Sequence, residues 1–124
     1  LLASLLDTNP REAVTHLALS ALAAWATEHP PAASTSANAV LPSTEELLAT
    51  IRALVGKDIE LPEKETEDAV GEAARAPTAD LPNVAAFLGG LVAQEAIKMI
   101  TRQYMPVNGY CVVDLVDTWT GIIA

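Results

Sequence analysis

Two adjacent glycines interrupt the most helix-like stretch of the chain, NVAAFLGGLVAQEAIKMI at residues 83–100. Gly89 and Gly90 each cost about 1 kcal/mol relative to alanine in a helix interior. In a helix of 3.6 residues per turn, Ala85, Gly89 and Ala93 fall in one row. Gly90 lies beside that row. The face is almost bare backbone, so we predict that another helix or strand packs closely against it and offsets the cost of the glycines.

The predicted contact surface consists of Ala85, Gly89, Gly90 and Ala93, and two locations for it remain open. One is internal packing, because a helix that is apolar most of the way round is typically buried. The other is a subunit interface. A phosphate-binding role is not indicated, since the glycines lie inside a helix and the chain has no G-x-G-x-x-G or G-K-[ST] motif.

Apolar residues at helical spacing predict helices at residues 11–28, 43–55, 63–75 and 83–104, and β-rich runs follow at 110–115 and 118–123. Ser43 and Glu46 form a capping box at the start of the second helix. Gly56 fits the left-handed position that closes it. The predicted fold class is therefore α+β, mostly helical with a C-terminal strand pair. Because an isolated two-stranded hairpin is marginal in water, we expect the pair to join a sheet supplied by residues outside this chain.

Composition and charge exclude some partners. The formal net charge is −9, which argues against nucleic acid and against an anionic membrane surface. No run reaches the roughly 18 uncharged apolar residues of a membrane span. Residues 57–80 hold eight acids and three bases. They are typical of a solvated face, and the alternative is a docking surface for a basic partner.

Candidate catalytic and metal-binding residues are few and scattered. His16 and His29 lie far apart, and no motif of metal-binding spacing includes them. The chain is predicted to turn at residues 116–117, and Asp114 and Asp117 lie at this turn, where carboxylates usually cap backbone amides. Cys111 falls in an apolar strand without a nearby histidine and is expected to act as a small buried hydrophobe. As the only cysteine, it forms no internal disulfide, which fits a reducing compartment. We therefore predict no catalytic, cofactor-binding or metal-binding residue in this chain.

Residues 82–114 resemble the C-terminal part of an adenylation domain from the ubiquitin-like-protein activating enzymes. Within that family they look most like the regulatory, non-catalytic subunits of the heterodimeric neddylation-activating enzymes. The residues that carry the resemblance are Ala85, Phe87, Gly89, Gly90, Gln94, Glu95, Lys98 and Gln103. The tail VVDLVDTWTGIIA is similar to the strand-turn-strand that closes this fold, which bacterial sulfur-carrier adenylyltransferases share. Residues 1–80 resemble the family only loosely.

The resemblance implies a division of the chain and a role for it. Residues 1–80, with a linker of small residues and proline at 30–42, would be helices of the pseudo-catalytic-cysteine region. Residues 81–124 would be the last helix and strand pair of a Rossmann-like α/β adenylation domain. The implied role is scaffolding of a catalytic subunit, which favours the subunit-interface location for Gly89 and Gly90.

The resemblance also implies cofactors and partners. ATP and magnesium would bind in the catalytic subunit and not in this chain, the further partner would be a ubiquitin-like modifier, and the compartment would be cytoplasm, nucleus or both. Two alternatives remain. One is an ATP-dependent adenylyltransferase of the sulfur-carrier type, which an upstream glycine loop would indicate. The other is a free-standing helical protein-interaction module, which would fold as a stable monomer.

Overall fold

The chain folds into helices followed by one small sheet. A computed structural model describes residues 2–30, 40–79, 81–115 and 119–123. Within these residues the elements are α1 (Leu2–Thr8), α2 (Pro10–Glu28), α3 (Thr44–Val55), α4 (Glu63–Arg75), α5 (Pro82–Thr101), β1 (Tyr110–Asp114) and β2 (Trp119–Ile123). They divide into unit 1, Leu1–Pro77, and unit 2, Thr78–Ala124. The predicted fold class, a mostly helical α+β chain with a C-terminal strand pair, is confirmed.

Helix α2 is the longest element of unit 1, and a short helix that the sequence pattern did not indicate precedes it. Asn9 is the N-cap of α2, but its side chain makes no capping hydrogen bond. Its backbone N–H donates instead to the carbonyl of Leu5 at 2.7 Å. This bond joins α1 to α2, and Leu6 of α1 packs in a small apolar cluster with Val14. The predicted end of α2 before Pro30 is confirmed, with His29 as the C-cap.

Helix α3 begins with the predicted capping box. The backbone N–H of Ser43 donates to the Glu46 carboxylate at 2.9 Å, and the Glu46 N–H donates to the Ser43 hydroxyl at 3.2 Å. The bond from the Ser43 backbone lowers the pKa of Glu46, because it stabilises the charged form. Gly56 closes α3 with φ +84° and ψ 176°. Its φ is positive as predicted, but its ψ is extended, so it is not in the left-handed helical conformation.

The core of unit 1 lies where α2 packs against α3 and α4. Its buried residues are Leu17, Ala18, Ala21, Leu47, Ile51 and Val70. Full burial of one such large aliphatic side chain contributes about 1.5–3 kcal/mol. Helix α4 contributes Val70, which is fully buried in this core, and its Thr66 is buried as well. The Thr66 hydroxyl donates to the carbonyl of Pro62 at 2.6 Å, which satisfies that buried polar group.

Unit 2 contains α5 and an antiparallel hairpin. Helix α5 ends at Thr101, three residues before the predicted end at Tyr104, because Arg102 takes a left-handed conformation with φ 55°. The register of the hairpin runs from Tyr110 opposite Ile123 to Asp114 opposite Trp119. The predicted turn at 116–117 lies outside the described residues, as does most of the predicted linker 30–42.

Candidate protein interface

Helix α5 has two different faces, and the first is half-buried. None of its twenty residues is fully buried. Val84, Leu91, Glu95 and Lys98 are half-buried. At 3.6 residues per turn these four residues fall on one side of the helix. Ala96 is half-buried as well, but it lies on the side of Ala85 and Gly89. The described part of the chain therefore covers α5 partly, and mainly on the side of Leu91 and Glu95.

The opposite face carries the glycine row. Ala85, Gly89, Gly90 and Ala93 are all exposed, and the helix brings them onto one side as predicted. A Cβ atom built at Gly89 or Gly90 meets no atom within 4 Å. The described residues leave this row uncovered, so its packing within one fold, which the sequence left as one of two alternatives, stays a prediction. That the four residues contact a partner stays a prediction.

Large apolar side chains surround the glycine row. Val92 is 65% exposed and Ile100 is 81% exposed, and Ile97 and Met99 are also exposed. Val92 lies directly beside Gly89 at helical spacing, and Ile97 and Ile100 continue the same side towards the end of the helix. A contiguous exposed apolar surface on a charged chain typically marks a contact with another molecule. The face of α5 that includes Gly89, Val92 and Ile100 is called the open face below.

Glu95 fixes the segment that follows α5. Its carboxylate accepts a hydrogen bond from the Lys98 ammonium at 2.6 Å and from the backbone N–H of Val107 at 2.8 Å. These bonds, the Lys98 bond first, lower the pKa of Glu95, while partial burial acts in the opposite direction. The sequence pattern marks Glu95 only as the end of the apolar run. The i,i+3 spacing to Lys98 could have indicated the ion pair, but the bond to Val107 has no local signal.

A membrane location is compatible with the composition of α5. Among the described residues, α5 is the one helix that is long and apolar enough to cross a membrane by length and composition. The core helices of soluble proteins meet the same criteria of length and composition. The ion pair of Glu95 and Lys98 would lie inside such a span, where charges are costly. The expectation of no membrane partner stays a prediction.

The residues considered for catalysis or metal binding are dispersed. His16 is half-buried in α2, and burial lowers its pKa. His29 stacks on Trp25 with ring centroids 4.4 Å apart at the end of the same helix. Within the described ranges, no three His, Cys, Asp or Glu side chains lie close enough to hold a metal ion. Asp117 lies outside those ranges. Among the described residues, neither histidine lies in a group of acidic side chains that could bind a metal ion with it, so no metal centre is assigned.

Cys111 and Asp114 both lie on β1. Cys111 stands opposite Ile122 in the hairpin and is half-buried, not buried as predicted. A strand that belongs to a two-stranded sheet leaves its side chains less covered than a strand inside a larger sheet, which explains the difference. Asp114 is half-buried at the end of β1.

The acidic segment of unit 1 is a solvated surface. Of its seven described acids, six are exposed and Glu65 is half-buried. An open cleft of about 530 Å³ lies between the end of α3 and the start of α4. Arg52, Lys57, Glu60 and Glu63 line part of it, so its charges are mixed. A docking role towards a basic partner stays a prediction.

Comparison with known proteins gives partial similarity to one kind of protein. The chain is 35% identical over 71 residues to the Nedd8-activating enzyme E1 regulatory subunit of Drosophila melanogaster, and 52% identical over 42 residues to that of Danio rerio. It is 37% identical over 51 residues to that of Caenorhabditis elegans. These matches cover 57%, 34% and 41% of this chain. No family model matches the chain, and no solved structure matches it.

The matched regions are a small part of the relatives. They make up 14%, 8% and 9% of the fly, fish and worm proteins, in that order. Residues 78–124 are fewer than the 71 matched in the fly protein, so that match necessarily includes part of unit 1. The similarity is therefore not confined to α5 and the hairpin.

Proposed function

We propose that this chain acts by binding another protein through the open face of α5, as part of a non-catalytic subunit. The arrangement of α5 supports this class. Its open face combines a row of small residues, where another backbone can approach closely, with exposed apolar side chains such as Val92 and Ile100. Well-packed interfaces have an apolar centre of this kind and exclude charge from it.

The particular protein we propose is the regulatory subunit of a NEDD8-activating enzyme, acting in protein neddylation. The observation that carries this proposal is the 35–52% identity to three proteins named as such regulatory subunits. In this proposal residues 81–124 are the last helix and strand pair of an adenylation-type domain, and residues 1–80 belong to the pseudo-catalytic region. The chain scaffolds a catalytic subunit in a heterodimer.

The proposal divides the chemistry between the two subunits. The catalytic subunit binds ATP and magnesium and activates the ubiquitin-like modifier, and this chain supplies no cofactor ligand. Its contribution is geometric, because a rigid helix can hold a partner in one orientation. We place the complex in the cytoplasm, the nucleus or both.

The test is to co-express the full-length protein that contains this chain with the catalytic subunit from the same genome. Size-exclusion chromatography with light scattering measures the complex, and ATP-dependent loading of the modifier onto the partner measures activity. The Val92→Lys variant places an ammonium on the open face, beside Gly89. We expect it to weaken subunit affinity more than about tenfold, or roughly 1.4 kcal/mol, because a buried unpaired charge is unfavourable.

Leu54→Lys is the matched control. Leu54 is 56% exposed on α3, close to the 65% of Val92, and both substitutions place lysine on a helix surface. A surface change away from the contact stays within about 0.5 kcal/mol, so affinity changes by roughly twofold or less. If both variants weaken subunit affinity equally, the assignment of the contact to α5 is refuted. Failure of the wild-type protein to bind the catalytic subunit at all would remove the proposed function.

A further inference from the structure

Asn108 and Gly109 form the one Asn-Gly pair of the sequence, and the structure places it in an exposed connection. Both residues are exposed and lie between the end of α5 and the start of β1 at Tyr110. Gly109 has φ 120°, a backbone conformation that side chains disfavour. Without a Cβ at Gly109, nothing on that residue shields its backbone nitrogen from the side chain of Asn108.

We infer that Asn108 is a site of spontaneous deamidation that the fold leaves open to the reaction. Base removes the proton of the Gly109 amide, and this nitrogen attacks Cγ of Asn108. A new C–N bond closes a five-membered succinimide, and the side-chain amide group leaves as ammonia. One water molecule then attacks either carbonyl carbon and opens the ring, which yields aspartate or isoaspartate. The sum is gain of water and loss of ammonia, without any redox change.

Two other asparagines show what protects a site. Asn9 precedes Pro10, whose nitrogen carries no hydrogen and cannot become the nucleophile. Asn83 lies in the first turn of α5 and precedes Val84, whose branched side chain crowds the backbone nitrogen. Neither asparagine forms the succinimide as readily as Asn108, so both serve as internal references for the rate of deamidation.

The position of Asn108 gives the reaction a structural consequence. Val107, one residue before it, is held by the carboxylate of Glu95, and Tyr110, two residues after it, starts the hairpin opposite Ile123. Isoaspartate lengthens the main chain by one methylene between these two fixed points. Aspartate leaves the main chain unchanged and adds one negative charge. We therefore expect isoaspartate, more than aspartate, to disturb the start of β1.

The experiment ages the whole chain at mildly alkaline pH and follows its tryptic peptides by mass spectrometry. Peptides 1–11, 76–98 and 103–124 each contain a single asparagine, namely Asn9, Asn83 and Asn108. Peptide 103–124 alone should gain the mass that separates a carboxylic acid from an amide, at a rate that rises with pH. Isoaspartyl methyltransferase with a labelled methyl donor identifies the isoaspartate fraction.

Two variants keep the inference open to refutation. Asn108→Gln removes the five-membered route without changing the backbone and should abolish the conversion. Gly109→Ala should slow it more than about tenfold, or roughly 1.4 kcal/mol of barrier. Equal conversion of the peptides with Asn9 or Asn83 would overturn the inference. So would a native chain that stays unconverted while the same chain unfolded in urea converts, because the fold would then protect Asn108.

Discussion

Replacing the α5 glycines with alanine should change two measurements in opposite directions. Gly89→Ala and Gly90→Ala each add one methyl group to the open face of α5. In the chain alone the added Cβ meets no atom within 4 Å, so there is no steric penalty. In the complex that we propose, the same methyl group stands between α5 and the backbone of the partner.

The magnitudes follow from these two environments. Without a steric penalty, alanine gains the helix propensity that glycine lacks, about 1 kcal/mol per site. The two sites should add to about 2 kcal/mol, because residues i and i+1 do not face each other on a helix. Overpacking at a tight contact costs roughly 1–3 kcal/mol, which corresponds to about 5- to 150-fold in affinity. The variants should therefore be more helical and more stable alone but bind the catalytic subunit more weakly.

The assays are urea unfolding of the chain followed by circular dichroism, and titration of the full-length variants against the catalytic subunit. Gly71→Ala is the control, because Gly71 lies inside α4 and a Cβ built there also meets no atom within 4 Å. It should stabilise the chain by a similar amount and leave subunit affinity unchanged. Stabilisation by Gly89→Ala and Gly90→Ala with unchanged affinity would refute close packing on the glycine row.

Four further expectations follow from the structure and the sequence. Ile51→Ala should destabilise unit 1 by about 2–5 kcal/mol in urea unfolding, because Ile51 is fully buried, whereas Leu54→Ala should stay within about 0.5 kcal/mol. Burial lowers the pKa of His16 in the folded chain, so the unfolded chain binds a proton at this histidine at a higher pH than the folded chain does. The folded chain should therefore have its full stability above the ordinary histidine pKa, and its free energy of unfolding should fall as the pH drops below that value. Melting temperatures of the wild type and His16→Gln across that range should show a shallower fall for the variant, and equal slopes would contradict it. Cys111→Ala in the full-length protein should leave modifier activation within about tenfold, or roughly 1.4 kcal/mol, as measured by thioester formation on the partner; a larger loss with normal folding would give the thiol a chemical role. Calorimetric titration of this chain with magnesium-ATP should give no saturable heat at millimolar nucleotide, because its sequence has no phosphate-binding glycine loop, and micromolar binding would contradict this.

Features that depend on neighbouring residues in the sequence could be predicted well. The capping box of Ser43 and Glu46 is complete within four residues, and the structure contains both of its hydrogen bonds. Proline after His29 ends α2 for a reason that no distant contact can change. The β-branched runs near the end of the chain predicted both strands, because nothing nearby favours a helix there.

Features that depend on distant contacts could not be predicted. Helix α1 is only seven residues long, and isolated helices of that length are marginal, so it relies on packing between Leu6 and Val14. Helix α5 ends at Thr101 with Arg102 as its C-cap, and neither position is a glycine or a proline that would mark a stop. The chain that follows is held by the hydrogen bond from Val107 to Glu95. The helical spacing of apolar residues along α5 indicates which face is apolar but not which residues cover that face. The four predicted contact residues could therefore be placed on one face, and their partner could not.

The exposure of α5 has a consequence for how much of this protein a cell maintains. If the open face of α5 is uncovered in the full-length subunit as it is among the described residues, this helix would open easily and be exposed to chaperones and proteases before the catalytic subunit binds. Binding of the catalytic subunit would stabilise the folded form by mass action, more strongly as the concentration of that subunit rises. Subunit copies made in excess of the partner would be degraded first, so the open face of α5 would set the ratio of the two subunits through turnover.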